Sequence, residues 1–407
     1  MPAPPTDPSA AYLLGRLGLV EARARALVAE RRRTDVAPDD PFRGLYLSDE
    51  HVDRLLSGRA PAPHETAEER DAAQWLEEAA DSAERRGDTI RLRGLAQRAG
   101  LSALEVELLL VALAPDLDGR LEGVYGYLND DVTRRRPTIG LALELCGVPV
   151  GAAYGRTCFA ASSRLVSHRL LLVEEQDRPF STRSLRVPDR VTAHLLGDDQ
   201  PDAAVISVLL PPPAAGLGHG KELARLLASE APLVYLRHSA GASALALAAD
   251  ALGAAGWAAL VVDLDHLIPG EDPVEIARLV GREALLLGAA VVVGPIESVT
   301  GVGAGRGPDH GEAAPSSPDR RAAVLRELAQ LSARSGDGVD GPGPVVLYGR
   351  SAWEPAWTRE TPLVVDVPAA SAAERTTRWL SRLGADVDNN VDVAAVTGPF
   401  RLSVEQV

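Results

Sequence analysis

The chain has 407 residues, with 42 Lys+Arg against 57 Asp+Glu and a formal charge of −15 at pH 7. That length suits two or three domains of about 100–200 residues, and 46% apolar content is enough for a sizeable core. The acidic balance argues against nucleic acid as a partner, because phosphate contacts need a concentrated basic face. Two cysteines, Cys146 and Cys158, exclude a disulfide scaffold and a four-Cys zinc site. The first 33 residues lack a basic start followed by a long apolar core, so they do not read as a signal peptide. No run approaches the about 18 uncharged apolar residues of a membrane span, and a soluble, cytoplasmic protein is expected.

Residues 1–10 are Pro-rich and read as disordered. Ala11–Arg33 carries Leu13, Leu14, Leu17, Val20, Leu27 and Val28 at helical spacing. A Pro/Asp loop leads to FRGLYLSDEHVDRLL, where Ser48 is a helix N-cap candidate, and a Pro/Gly linker ends this N-terminal segment at 64. Over 65–200 the pattern predicts a charged helix (Glu65–Arg86), then helices at Ile90–Arg98, Ser102–Ala114, Asp118–Asp130, Ile139–Leu145 and Ser163–Glu174. Ser102 with Glu105 forms a capping-box signature. A short strand at Arg183–Val187 and a helix at Asp189–Leu196 complete a helical, winged-helix-like domain.

From 201 the rhythm alternates. Strands are predicted at Ala204–Leu210, Pro232–Arg237, Ala258–Asp263, Ala289–Val293, Val345–Tyr348 and Leu363–Val367, with helices between them at Lys221–Ser229, Ser243–Leu252, Pro273–Leu287 and Asp319–Ser335. Near-continuous apolar strands of this kind imply a P-loop-type α/β domain over 201–368, its parallel sheet buried on both faces. The Gly/Pro/Ser insertion 300–318 reads as a disordered loop. Helical segments over 369–407 read as the start of a lid.

Two segments have the setting of a phosphate-binding loop, in which glycines let backbone N–H groups approach phosphate, Lys neutralises charge and Ser/Thr holds magnesium. In LVYLRHSAGASALALAADAL, His238 takes the first Gly position, Gly241 lies inside the loop, Ser243 takes the second Gly, Ala244 the Lys and Leu245 the Ser/Thr. Every charged or metal-binding element is missing, so a bare strand-to-helix turn is expected. The second segment contains the chain's one lysine, Lys221, after Gly220, but Glu222 replaces the Ser/Thr and three prolines interrupt its approach. Hydrolysis would also need a strand ending in acids; the strand at Ala289–Val293 runs into Gly294-Pro295, with Glu297 two residues late, while the acidic strand end with Asp263 and Asp265 comes one strand too early.

Arg134-Arg135-Arg136 suits either a nucleic-acid contact or a solvated run. Trp353 and Trp357 suit either an inter-subunit anchor or a packed loop. The histidines lack metal-ligand spacing, and no nucleophile elbow is present.

The run order PFRGLYLSDEHVDRLL, LVYLRHSAG, VVDLDHL, VVLYGRSAWEP and FRLSVEQV resembles the AAA-type ATPases found with phage-tail-like contractile injection systems. The resemblance implies a winged-helix region followed by a degenerate first AAA module. It marks 238–245 as the former phosphate loop, Gly294-Pro295 as the former magnesium and catalytic-acid position, and Gly349, with Arg350 beside it, as the former sensor position. It further implies protein partners and ring assembly. No cofactor is expected for this chain, and ATP with magnesium belongs to a second module beyond Val407, so the sequence reads either as part of a longer ATPase or as a protein that has lost its engine. Two alternatives stand beside this: a weak ATP-binding protein using Lys221 or Arg237, and a winged-helix DNA-binding regulator using Arg134–Arg136.

Overall fold

The computed structural model describes residues 7–33, 52, 66–212, 220–229, 233–239, 241–268, 271–300, 318–333, 343–383, 392–398 and 400. Apart from Val52, the expected helix after Pro41 with its Ser48 cap lies outside them, as do the linker at 57–64 and nearly all of the 300–318 insertion. The chain divides into two compact units, Met1–Gln200 and Pro201–Val407.

The first unit is helical. α1 (Pro8–Arg33) starts earlier than the Pro-rich composition predicts. Asp7 caps it by accepting from the Ser9 and Ala10 N–H groups, and a first-turn proline has no N–H to leave unsatisfied. α2 (Ala67–Arg85) packs on α1 through Leu76, which fills a notch at Gly15 where a Cβ would lie 2.3 Å from its Cδ2. α3 (Arg91–Ala99) ends on left-handed Gly100, and α4 (Ala103–Leu117) opens with the expected capping box of Ser102 and Glu105. Residues 108–115 of α4 are all buried, as in a helix surrounded by others. α5 (Arg120–Leu128), α6 (Ile139–Leu145), α7 (Ala153–Thr157) and α8 (Arg164–Ser167) follow.

The apolar run expected as one helix over 163–174 breaks after α8. Arg169 takes a left-handed conformation, and Leu172 and Val173 instead form β1, paired antiparallel with β2 (Leu185–Arg186). Thr138, just before α6, bridges Ser184. A strand position, short helices and a two-stranded wing thus follow in order, and α9 (Asp189–Leu195) closes the unit.

The second unit carries a six-stranded sheet. Its strands are β3 (Leu209–Leu210), β4 (Leu233–His238), β5 (Ala259–Asp263), β6 (Ala290–Gly294), β7 (Val345–Gly349) and β8 (Leu363–Val367), in the order β3-β5-β6-β7-β4-β8. β4 to β8 are parallel, but β3 runs antiparallel to β5, so the sheet is mixed rather than wholly parallel. The strand expected over 204–210 is mostly a 3-10 turn at Ile206–Val208, with two residues left to pair at the edge. β8, at the other edge, is largely exposed rather than buried on both faces.

α10 (Lys221–Ser229), α11 (Ala244–Ala254), α12 (Pro273–Leu287), α13 (Glu297–Thr300) and α14 (Pro318–Ala333) connect the strands. They complete two apolar layers, one centred on Val280, Val291, Leu328 and Leu347, the other on Leu236, Leu247, Val292 and Val346. α15 (Ala372–Leu383) and α16 (Val393–Thr397) follow β8.

Candidate functional site

Parallel strands put their carboxyl ends on one edge, where ligands of α/β proteins bind. His238, Gly294 and Gly349 end β4, β6 and β7, so this edge gathers the positions singled out in the sequence. β4 lies between β7 and β8, and the loop after it leads into α11.

That loop is tied inward. Gly241 adopts φ +82°, which suits glycine. The Ala242 N–H donates to the Ser239 carbonyl at 3.1 Å, so it is not available to an anion in this conformation. Ala242 also bridges Ala369, and the Ala370 N–H donates to the Gly241 carbonyl at 3.4 Å. Ser243 is buried at the N-cap of α11 without a capping bond from its side chain. Ala244, at the Lys position, is 3% exposed, and Leu245 packs on the apolar layer of that face. His238 sits near the Tyr348 ring, their centroids 6.2 Å apart.

The acid position is closed as well as empty of acid. A Cβ on Gly294 would lie 2.5 Å from the Tyr348 carbonyl oxygen and 2.7 Å from its ring, and Gly294-Pro295 is cis. A Cβ on Gly349 would lie 2.7 Å from Ile296 Cγ1, 2.8 Å from Tyr235 Oη and 2.9 Å from Glu297 Oε1. Neither position has room for a polar side chain in this packing.

Glu297 is committed elsewhere. Its Oε1 accepts from the Arg350 and Ser351 N–H groups at 2.6 and 2.7 Å. Burial works to raise its pKa, but these backbone donors outweigh it and hold the carboxyl below the ordinary value. Glu297 therefore joins the end of β6 to the end of β7. Tyr235 reinforces the joint by donating to the Ser351 carbonyl at 2.7 Å. Trp353 packs on Tyr235 with the rings tilted by 50° and meets Trp357 edge-on, both at 5.2 Å, which makes this segment a packed loop. Asp263 accepts from the Asp265 N–H and faces His266 Nδ1 at 3.0 Å, and Asp265 accepts from the Ser298 hydroxyl.

The Gly220-Lys221 pair has a packing origin. A Cβ on Gly220 would lie 2.6 Å from the Ala251 backbone nitrogen, so the glycine lets α10 approach α11, while Lys221 is exposed on the first turn of α10. Arg237 is held by Asp366 on the adjacent strand at 2.6 and 2.8 Å.

In the first unit the arginine run is internally paired. Arg134 reaches Asp131 at 3.1 Å and donates to the Thr182 carbonyl, Arg135 faces Glu122 at 3.5 Å, and Arg136 holds Asp116 at 3.0 and 3.3 Å. Near the wing, Arg156 of α7 lies 3.9 Å over the Phe180 ring, and Arg186 pairs with Glu174. Burial pushes the Cys146 thiol up to about 12, which leaves it a poor nucleophile.

One cluster had no sequence signature. Arg91 holds both oxygens of Asp199 at 2.7 and 2.8 Å, and Asp199 also meets His194 Nδ1 at 2.7 Å. The three residues span more than a hundred positions, and only the fold of α3 against α9 brings them together. Among the described residues no group of three or more His, Cys, Asp or Glu could hold a metal ion, and no helix is long and apolar enough to cross a membrane.

The sequence model of the family described as winged helix domain, variant, matches residues 5–209, just over half of the chain. The comparison with curated proteins found no match.

Proposed function

Since the chain belongs to the variant winged helix domain family, we propose that it is a non-catalytic assembly and adaptor region of an AAA-type ATP-binding protein. On this reading the helical unit recognises a partner protein, and the α/β unit packs as a degenerate AAA module in a ring. The carrying observation is the carboxyl edge of the sheet, where Gly294 and Gly349 leave no room for polar side chains and Glu297 is bound to the Arg350 and Ser351 amides. Phosphoryl transfer depends on positioned cations and acids. At this edge Ala244 and Leu245 stand where the cationic and magnesium-binding groups would be.

The strand order supports the same reading, because the loop after β4 lies between the carboxyl ends of β7 and β8. The arginine pairing supports a protein partner over nucleic acid, since Arg134, Arg135 and Arg136 each already face an acid. The finer assignments rest on the sequence: its patterning suggests 65–200 as the winged-helix domain, 201–368 as an α/β module and the cytoplasm as the compartment, and its resemblance suggests a contractile injection apparatus as the setting, degeneracy of the module and 369–407 as a partial lid. ATP and magnesium would belong to a second module. Phosphate release by the purified chain with ATP and magnesium tests the proposal. Release no faster than the protein-free blank is expected, and sustained turnover that scales with protein would overturn it.

A further inference from the structure

The outward face of α2 joins an exposed tryptophan to unpaired negative charge. Its inward face is fixed: Leu76, Ala80 and Ala83 are buried, Leu76 fills the Gly15 notch, and Arg93 reaches Glu77, Asp81 and Glu84 at 3.8, 2.7 and 3.0 Å. Trp75 is directed away from this packing and is 66% exposed. At 3.6 residues per turn, Glu68, Asp71, Ala72, Glu78, Ala79 and Ser82 all lie within about 60° of Trp75 around the helix axis. Ala72, Trp75 and Ala79 form an exposed apolar strip. Arg70 falls about 140° from Trp75 by the same spacing. Among the described residues no cation pairs with Glu68, Asp71 or Glu78, and Glu78 accepts only from Gln74, at 2.9 Å. The acids on the inner flank are thus neutralised by Arg16 and Arg93, whereas those around the indole are not.

We infer that this face of α2 docks a cationic amphipathic helix of a protein partner, which receives the Trp75 indole in an apolar pocket and places Lys or Arg side chains against Asp71, Glu78 and Glu68. Exposed tryptophan on a rigid element is a characteristic interface anchor, because it buries a large area at low entropy cost. A Lys or Arg lying on its face gains a cation–π contact. The unpaired carboxylates select a cationic partner over an acidic one and make association steep in salt. The inference rests on the adaptor reading of the helical unit and names the surface and partner chemistry that reading leaves open.

The test uses the full chain and a synthetic helical peptide with Leu on one face and Arg on the other, alongside the same peptide with every Arg replaced by Glu. The Arg peptide is expected to bind and the Glu peptide not to bind. Trp75→Ala should weaken binding about ten-fold or more, as for an interface anchor, while Trp75→Phe retains most of it. Asp71→Lys with Glu78→Lys should weaken binding more than the same reversal at the exposed Glu222 and Glu354, which controls for net charge. These positions are exposed, so the variants should keep the parent melting temperature. Equal affinity of the parent and Trp75→Ala, equal effects of the two charge reversals, or no binding of the Arg peptide to the parent chain would overturn the inference. ATP turnover by the chain would count against the adaptor reading and leave this result standing.

Discussion

Single residues decide what the carboxyl edge of the sheet can do. Glu297 looks in the sequence like a displaced catalytic acid, yet its Oε1 is held by two backbone amides. Glu297→Ala should destabilise the chain by about 1–3 kcal/mol, because the Arg350 and Ser351 N–H groups lose a charged acceptor. Glu297→Gln, which keeps an amide oxygen, should cost less, and denaturant unfolding measures both. Placing an acid at Gly294 should fail for steric reasons: Gly294→Asp would force a side chain against Tyr348 at a cost of about 1–3 kcal/mol, as overpacking does.

The His194–Asp199–Arg91 cluster should make stability depend on pH. Burial holds the His194 pKa below 6.5, against the opposing pull of Asp199. The unfolded chain therefore takes up this proton first, and stability falls as pH drops below about 6.5. Arg91 holds the Asp199 carboxyl down to about 2, so its contribution is present above the ordinary carboxyl range and is lost as pH falls toward 2. His194→Gln should flatten the upper part of this acid decline, measured as unfolding free energy against pH.

At the scale of elements, local chemistry made much of the fold legible. Ser102 and Glu105 announced the start of α4, and the apolar periods located Pro273–Leu287, Lys221–Ser229 and Leu363–Val367 as they stand. Ser102→Ala should cost about 1 kcal/mol, the usual effect of losing such a cap, read from the shift in the denaturation midpoint. Short apolar runs were less legible. LLLV at 170–173 continues a helical pattern, but pairing of Leu172 with Arg186 and Val173 with Leu185 claims it for the wing. Ala204–Leu210 has strand composition, yet only Leu209 and Leu210 find a partner, in β5. The candidate edge was legible as a set of missing residues. Its closure was not, because the contacts that shut Gly294 and Gly349 come from Tyr348, Ile296 and Tyr235, which sequence spacing does not place beside them.

For the whole molecule, the two units carry different parts of the account. The helical unit, matched by the winged-helix family, holds Arg134 and Arg136 in ion pairs and presents Trp75 outward. The α/β unit has an apolar sheet core, and the carboxyl edge of its sheet is tied by backbone and packing contacts. The central claim is that this edge is a structural joint. Calorimetric titration of the intact chain with ATP and magnesium tests it most directly. The account predicts no saturable heat up to millimolar ATP; a saturable isotherm with a micromolar dissociation constant would contradict it.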